Sequence, residues 1–456
     1  MNDNLIMARR IAGAVDAAGG KTYFVGGYVR DLFLGRENKD IDLEVHGVGA
    51  ETLAAILDTL GERMTLGASF GVMGLRHYDL DIAMPRSERA TGRGHRDFAV
   101  CVDPFIGEEK AARRRDFTVN ALMQNVLTGE ILDFFGGLAD LEKRRIRHVC
   151  DESFGEDPLR VLRAAQFAAR FSFDVAEETI ALAADMPLDA LPGERVMGEL
   201  EKALIKAPRP SVFFELLRRM DQLSVWFPEL AALIGVPQPP AHHPEGDVWN
   251  HTMQVLDEAA KLRPEARQPL YFLLAALCHD FGKAVTTETI NGRIHAYGHE
   301  NAGLPLAQRF LGRLTNETRL RGYVLNMTEL HMGPNKLVGQ NAGNKAFMRL
   351  YDRALCAEDL LLLAKADHFG CRPPETDSAA FAADYAPTEA RLREMLALYR
   401  ARMAAPCVTG RDLAEAGFAP GPLYGEALVY VRRLRLAGVP KEEQLRQTLG
   451  RFRAKS

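Results

Sequence analysis

The sequence predicts an α+β protein: a small mixed-sheet head followed by a body that is almost wholly helical. Three observations predict it. Short apolar or alternating runs bounded by turn residues are confined to the first 150 residues. From Asp157 onward a helical periodicity takes over, punctuated by Pro and Gly. The chain has 456 residues, 47% apolar and 26% charged. At about 100–200 residues per domain that allows two to four cores, and it excludes a disordered or collagen-like chain.

In chain order, strands are expected at Thr22–Val25, Ile41–Val45, Gly71–Leu75 and Tyr78–Ile82, with a helix over Ala50–Leu60. Helices follow at Pro158–Phe171, Ala176–Met186, Val196–Lys206 and Ser211–Met220. A Pro-rich stretch, Gly235–Pro244, reads as a linker. Eight of the 12 histidines crowd between His242 and His368, marking a separate functional region. Beyond Ala386 the chain is helical again and turns basic, with eight Lys and Arg against three Glu from residue 421 onward. The expected division is 1–150 head, 151–235 helical neck, 241–385 histidine-rich body and 386–456 helical tail.

Charge and cysteine usage exclude further classes. Fifty-seven Lys and Arg against 61 Asp and Glu leave a net charge of −4, so any polyanion site must come from local clustering. The longest apolar run, Leu270–Cys278, falls far short of the roughly 18 residues of a spanning helix. Arg9 and Arg10 followed by Asp16 make a poor signal peptide, and six cysteines without a CxxC pair suit reduced thiols. The expectation is a cytoplasmic protein with no membrane partner.

Val25-Gly-Gly-Tyr-Val-Arg-Asp31 sets two glycines between a strand and a helix. Glycines there let the backbone approach a phosphate, helix N–H groups donate, and Arg30 adds a charged fork. Nine residues after Asp31 comes Asp40-Ile41-Asp42. On a strand the two acids share one face about 7 Å apart, an arrangement that calls for a cation. Mg²⁺, which pairs few protein carboxylates with substrate phosphates, suits it.

These residues resemble the head of the polymerase-beta-like nucleotidyltransferases, specifically the bacterial-type class II CCA-adding enzymes and poly(A) polymerases. Arg114-Arg-Asp-Phe-Thr-Val-Asn-Ala121 is similar to the second family motif and Asp133-Phe-Phe-Gly-Gly-Leu-Ala-Asp140 to the third. Glu156-Asp-Pro-Leu-Arg160 is similar to the nucleotide-templating EDxxR motif, and Glu194-Arg-Val-Met-Gly-Glu199 to the ERxxxE motif that steadies it. The five motifs cover about residues 1–205 in the family's order. The resemblance implies a polymerase-beta-like head with Asp40 and Asp42 holding catalytic Mg²⁺. It implies nucleotide contacts from Gly27, Arg30, Arg115 and Arg163, and base reading by Asp157 and Arg160. Pro158 would open the helix that presents both readers at spacing i, i+3.

Three points depart from the pattern or stay open. Gln166 stands where the family commonly has Arg. Asp79 and Asp81 alternate onto one strand face, so either could neighbour the metal. Arg86–Pro104, with Arg89, Arg93, Arg96 and Asp97 among glycines, resembles the flexible loop used in switching from C to A addition.

A second constellation runs through the histidine-rich body: His251, His279-Asp280, His299, His331 and Asp367. An adjacent His-Asp ending an apolar helix joins burial to charge and wants a cation. The ordered set resembles the HD phosphohydrolase superfamily, whose His and Asp side chains surround one or two divalent metals. Mixed imidazole and carboxylate donors suit a transition metal as readily as Mg²⁺. His242, His243, His295 and His368 are read as spacers or supporting groups.

The expected function is template-independent addition of CCA to tRNA 3′ ends from CTP and ATP, with an HD-type hydrolase on the same chain. The partner would be the tRNA acceptor stem, tracked by basic clusters including Arg113–Arg115 and Arg432–Arg435. An A-adding, CC-adding or poly(A)-adding relative is the nearest alternative. An RNA-end phosphohydrolase with a non-catalytic nucleotide-binding head is the second.

Overall fold

The computed structural model describes residues 3–67, 72–90, 98–373, 375–418 and 421–452. The chain forms two compact units, Met1–Trp226 and Phe227–Ser456.

The first unit contains β1 (Lys21–Val25), β2 (Ile41–His46), β3 (Arg63–Gly67), β4 (Val72–Leu75), β5 (Leu80–Ala83), β6 (Arg86–Ala90), β7 (Phe98–Val102), β8 (Met123–Asn125) and β9 (Ile131–Leu132). Seven of them make one sheet in the order β3-β4-β5-β2-β1-β8-β9. β2 and β5 are parallel, whereas β1 runs antiparallel to both β2 and β8, so the sheet is mixed as expected. Ile41, Leu43 and Val45 bury one face of β2. The helices Asp3–Ala17 and Ala50–Leu60 bury Met7, Ile11, Val15, Leu53 and Leu57. That alternation leaves Asp42, Glu44 and His46 on the opposite face.

The helix Ala50–Leu60 forms over the residues expected, and the fourth expected strand starts two residues late, at Leu80. β3, β8 and β9 escaped the sequence reading: β8 and β9 have three and two residues, too few alternations to register, and β3 opens on Arg63 and ends on Gly67. The expected Arg86–Pro104 loop is in part a ribbon: β6 pairs antiparallel with β7, from Arg86 opposite Val102 to Ala90 opposite Phe98. Arg93, Arg96 and Asp97 lie outside the described residues, as does Gly71. The neck helices include Leu159–Phe171 and Gly193–Lys206, which pack on each other.

Among the described residues, the regular structure of the second unit is helical apart from one hairpin, Glu288–Ile290 with Arg293–His295. Its centre is the helix Pro269–Cys278, where every residue from Phe272 to Cys278 is fully buried. Val248–Leu262, Thr318–Leu330 and Ala357–Gly370 pack against it, and His299–Leu314 packs on Thr318–Leu330. The tail keeps a small core of its own, built from Val408, Leu413, Phe418, Ala427, Val431 and Phe452. Among the described residues, no helix is long and apolar enough to cross a membrane. Cys150, Cys278, Cys356, Cys371 and Cys407 are all free thiols.

Candidate functional site

β1 ends at Val25, and the chain turns through Gly26 into the helix Gly27–Phe33. Gly26 has φ +66°, and a Cβ there would stand 3.4 Å from Arg115 Nη1 and 3.5 Å from Asp42 Oδ2. The sequence singled out Gly27, but the glycine that closes on the acid and the cation is Gly26. Asp42 sits half-buried in β2, and the exposed Asp40 just precedes the strand, its N–H donating to Asn38 Oδ1 at 3.0 Å. The parallel register sets Asp81 of β5 directly beside Asp42. Burial raises the Asp42 carboxyl, Arg115 opposes, and Asp81 and Asp40 push it further up. Three acids that repel one another at one strand end fit a divalent cation.

All eight head and neck residues named from the sequence line one cleft of about 1420 Å³: Gly27, Arg30, Asp40, Asp42, Arg115, Asp157, Arg160 and Arg163. Asp81 lines it too. Their engagements differ. Arg115 Nη2 donates to Glu44 Oε2 at 2.9 Å, and Glu44 Oε1 takes His46 Nε2 at the same distance. Glu44 is a buried anchor the sequence reading missed. Its signal was the continued alternation Asp40, Asp42, Glu44. Arg30 lines the cleft but is only 3% exposed. Its guanidinium donates to Asp31 and to Asn120 Oδ1 (2.7 Å) and stacks 4.4 Å above the Phe171 ring. That geometry makes it a strut rather than an open phosphate fork.

The two expected base readers sit at the start of the helix Leu159–Phe171, where Asp157 Oδ1 accepts from the Leu159 N–H at 3.1 Å. Arg195 Nη2 donates to Asp157 Oδ2 at 2.9 Å, so the ERxxxE segment does hold the EDxxR segment. Arg160 donates to the backbone carbonyls of Ser153 and Arg114. Arg163 donates from Nε to Asp116 Oδ2 at 2.8 Å, and Asp116 Oδ1 also takes the Phe117 N–H and Asn120 Nδ2. Burial works to raise the Asp116 carboxyl, but Arg163 and Asn120 overcome it and hold it below the usual carboxylate range. Gln166 is 1% exposed and lines the cleft, and its Nε2 has no hydrogen-bond partner among the described residues.

In the second unit the six expected ligands converge. His251 lies on the helix Val248–Leu262, His279 caps Pro269–Cys278, His299 opens its helix, His331 caps Thr318–Leu330, and Asp367 sits in Ala357–Gly370. His251 and His279 meet Nε2 to Nε2 at 3.3 Å, and so do His299 and His331. Asp280 joins the pairs: Oδ2 lies 3.3 Å from His279 Nε2, and Oδ1 lies 3.3 Å from His299 Nε2. Asp367 Oδ1 stands 3.1 Å from His251 Nε2.

The tautomers show what this cluster is for. His279, His299 and His331 present Nδ1 to the carbonyls of Ala276, Ala296 and Thr328 at 2.7, 2.8 and 2.7 Å. A carbonyl only accepts, so each Nδ1 carries a proton, and Nε2 is the ring atom turned inward, the one a metal would take from the neutral imidazole. Burial, with the neighbouring His279, pushes His331 down to about 3, which keeps that ring neutral. Burial works to raise the Asp280 carboxyl, but Lys283 and His279 hold it well below the usual carboxylate range. Neither Asp280 oxygen has a well-aligned hydrogen bond. Lys283 Nζ lies 2.6 Å from Asp280 Oδ2, and the imidazole nitrogens and carboxylate oxygens that converge beside it fit one or two divalent ions. The donors fall into two triads, His251/His279/Asp367 and Asp280/His299/His331.

Comparison with known proteins agrees with both sites. Residues 22–147 match the family model described as poly A polymerase head domain, and residues 248–369 match the HD domain. A multifunctional CCA protein of Thioalkalivibrio sulfidiphilus is 38% identical over 429 residues, covering 91% of this chain and 97% of the relative. The chain belongs to the multifunctional CCA protein family. Another member, from Actinobacillus pleuropneumoniae, is 39% identical over 322 residues, 69% of this chain and 76% of that one. Among solved structures, the Thermotoga maritima CCA-adding enzyme complexed with tRNA superposes with a TM-score of 0.65 at 20% identity, covering 99% of this chain and 96% of that chain. The Bacillus stearothermophilus CCA-adding enzyme in complex with CTP gives 0.67 at 22%, covering 100% and 99%. These two likenesses carry the fold. In this CCA-family chain some tail cations are engaged by the chain itself: the exposed Arg432 pairs with Asp352, and Arg435 bonds the carbonyls of Arg402 and Ala405.

Proposed function

We propose that the head adds C, C and A in turn to tRNA 3′ ends from CTP and ATP, and that the HD centre hydrolyses phosphoesters on RNA ends. The observation that carries the first half is the single cleft in which the acids Asp40 and Asp42 share walls with Asp157 and Arg160. A carboxylate accepting from an exocyclic amine beside a guanidinium donating to ring acceptors can select a base without a complementary strand. Asp40, Asp42 and Asp81 would hold Mg²⁺, which would supply charge neutralisation at the phosphates and a lower pKa for the attacking ribose hydroxyl. Gly26 and Gly27 let the backbone approach the triphosphate, Arg115 meets its charge, and Arg30 and Arg163 hold the walls. Asp157 and Arg160 exchange their present partners for the base edge.

In the HD centre, His251, His279, Asp280, His299, His331 and Asp367 would hold a divalent transition metal or Mg²⁺, which supplies Lewis acidity and an activated water. The substrates this suits are 2′,3′-cyclic and terminal phosphates. Within this reading, 1–150 is the nucleotidyltransferase head, 151–235 the readout neck, 241–385 the HD domain and 386–456 a tail docking RNA. Free thiols and the absence of a spanning helix among the described residues support a cytoplasmic setting.

The test is incubation of tRNA ending at the discriminator base with labelled CTP and ATP. C-C-A in order is expected; A added only to a CC end would make the chain an A-adding relative. Asp42→Ala should abolish incorporation and leave cyclic-phosphate hydrolysis, and His279→Ala should do the reverse. Loss of both activities from either substitution would overturn the two-site reading.

A further inference from the structure

Three of the four HD histidines are locked by backbone carbonyls, but His251 is not. Its Nδ1 faces Glu245 Oε1 at 2.8 Å, and both side chains are fully buried. We propose that Glu245 is a positioning residue for the HD centre, fixing the tautomer and donor strength of His251; this rests on the metal-hydrolase reading above. An ionised carboxylate only accepts, so Nδ1 carries the proton. Nε2 is then the atom turned to the other donors, 3.1 Å from Asp367 Oδ1 and 3.3 Å from His279 Nε2. A charged acceptor behind an imidazole makes it a stronger ligand than a neutral carbonyl does. Glu245 is itself aimed: the same Oε1 takes His243 Nδ1 at 2.8 Å, while its Oε2 is buried without a hydrogen-bond partner. A buried carboxylate bonded through one oxygen is unfavourable on stability grounds alone. Its position behind His251 supplies the reason to keep it.

One rival uses the same atoms. Cys371 Sγ lies 3.6 Å from His243 Nδ1 and 3.7 Å from His251 Nδ1, so His243, Glu245, His251 and Cys371 form a compact donor set. An ion there would take His251 Nδ1 while Nε2 serves the HD centre. The imidazole would then have to give up both ring protons, whereas the Glu245 hydrogen bond keeps one.

The two readings separate by metal titration of the full chain, with Mn²⁺ by calorimetry and Co²⁺ by its visible spectrum. The wild type should bind; if it takes up neither ion, the metal-hydrolase reading falls and this proposal with it. Glu245→Ala should weaken binding about 10- to 100-fold and shift the Co²⁺ bands. Glu245→Gln, which still accepts the Nδ1 proton without the charge, should recover part of the loss. Melting curves of the metal-free variants establish that each is folded. Wild-type affinity and spectrum in folded Glu245→Ala would overturn the proposal while leaving the HD reading standing. An additional metal equivalent in the wild type, lost in Cys371→Ala, would overturn it by making Glu245 a ligand.

Discussion

Asp116 ties the second head motif to the helix that carries the base readers, and Asp116→Asn tests how much that tie is worth. The pair is buried on one side only: the Asp116 side chain is 9% exposed and that of Arg163 32%. Asn keeps an acceptor for the Phe117 N–H but removes the charge that Arg163 Nε and Nη2 share. Hydrogen bonds to charged groups contribute about 1.5–3 kcal/mol. Solvent on the Arg163 side screens part of this, leaving about 1–2 kcal/mol. For a unit of 226 residues that lowers the melting temperature by roughly 2–8 °C. Trp226 and Trp249 lie one in each unit, so a Trp249→Phe background leaves Trp226 as the reporter for the first. The sign with pH follows from the depressed Asp116 carboxyl. Its stabilisation is complete above the unfolded value of about 3.9 and is lost as pH falls through the lower folded value. The gap between wild type and variant should therefore close in acid. An equal gap at neutral pH and at about pH 3, or no gap at either, would refute the assignment of this stability to the ionised pair.

Other substitutions probe the remaining assignments. Arg195→Ala frees Asp157 from its bidentate partner and should raise KM for both nucleotides about tenfold, with more misincorporation, read in single-nucleotide addition assays. Asp81→Asn should lower kcat at least about tenfold while leaving CTP binding nearly unchanged; an unaltered kcat removes Asp81 from the metal set. At Gly282 a Cβ would stand 1.9 Å from the His299 carbonyl oxygen and 2.7 Å from the Gly303 nitrogen. Gly282→Ala must push the His299 helix away, so metal uptake should be lost while nucleotide addition by the head persists.

Much of the site was legible because its residues fall in short motifs or in an ordered set that resembles known families. Asp40-x-Asp42 declares itself by its strand spacing, the EDxxR segment and the six HD positions by their resemblance to family motifs, and each set is gathered in one place. What stayed hidden depends on neighbours distant in sequence. Asp81 could not be chosen over Asp79 until the parallel register put it beside Asp42. Glu44, Asp116 and Glu245 look like ordinary surface acids until burial pairs them with Arg115, Arg163 and His251. The engagement of Arg30 stayed hidden for a related reason: a sequence shows that a guanidinium is near a phosphate-binding turn, not that Asp31 and Asn120 already hold it. Among the strands, the central ones announced themselves by apolar runs, whereas the edge strands β3 and β9 are too short or too polar to do so.

The carbonyls behind His279, His299 and His331 each belong to the residue three positions earlier, and those residues are Ala, Ala and Thr. The main chain rather than any neighbouring side chain decides which nitrogen of each ring faces inward. Mutational drift at those upstream positions therefore leaves the inner surface of the centre unaltered, provided the local path of the chain survives. Only His251 entrusts its orientation to a mutable partner, which makes it the ring most open to tuning by a single codon.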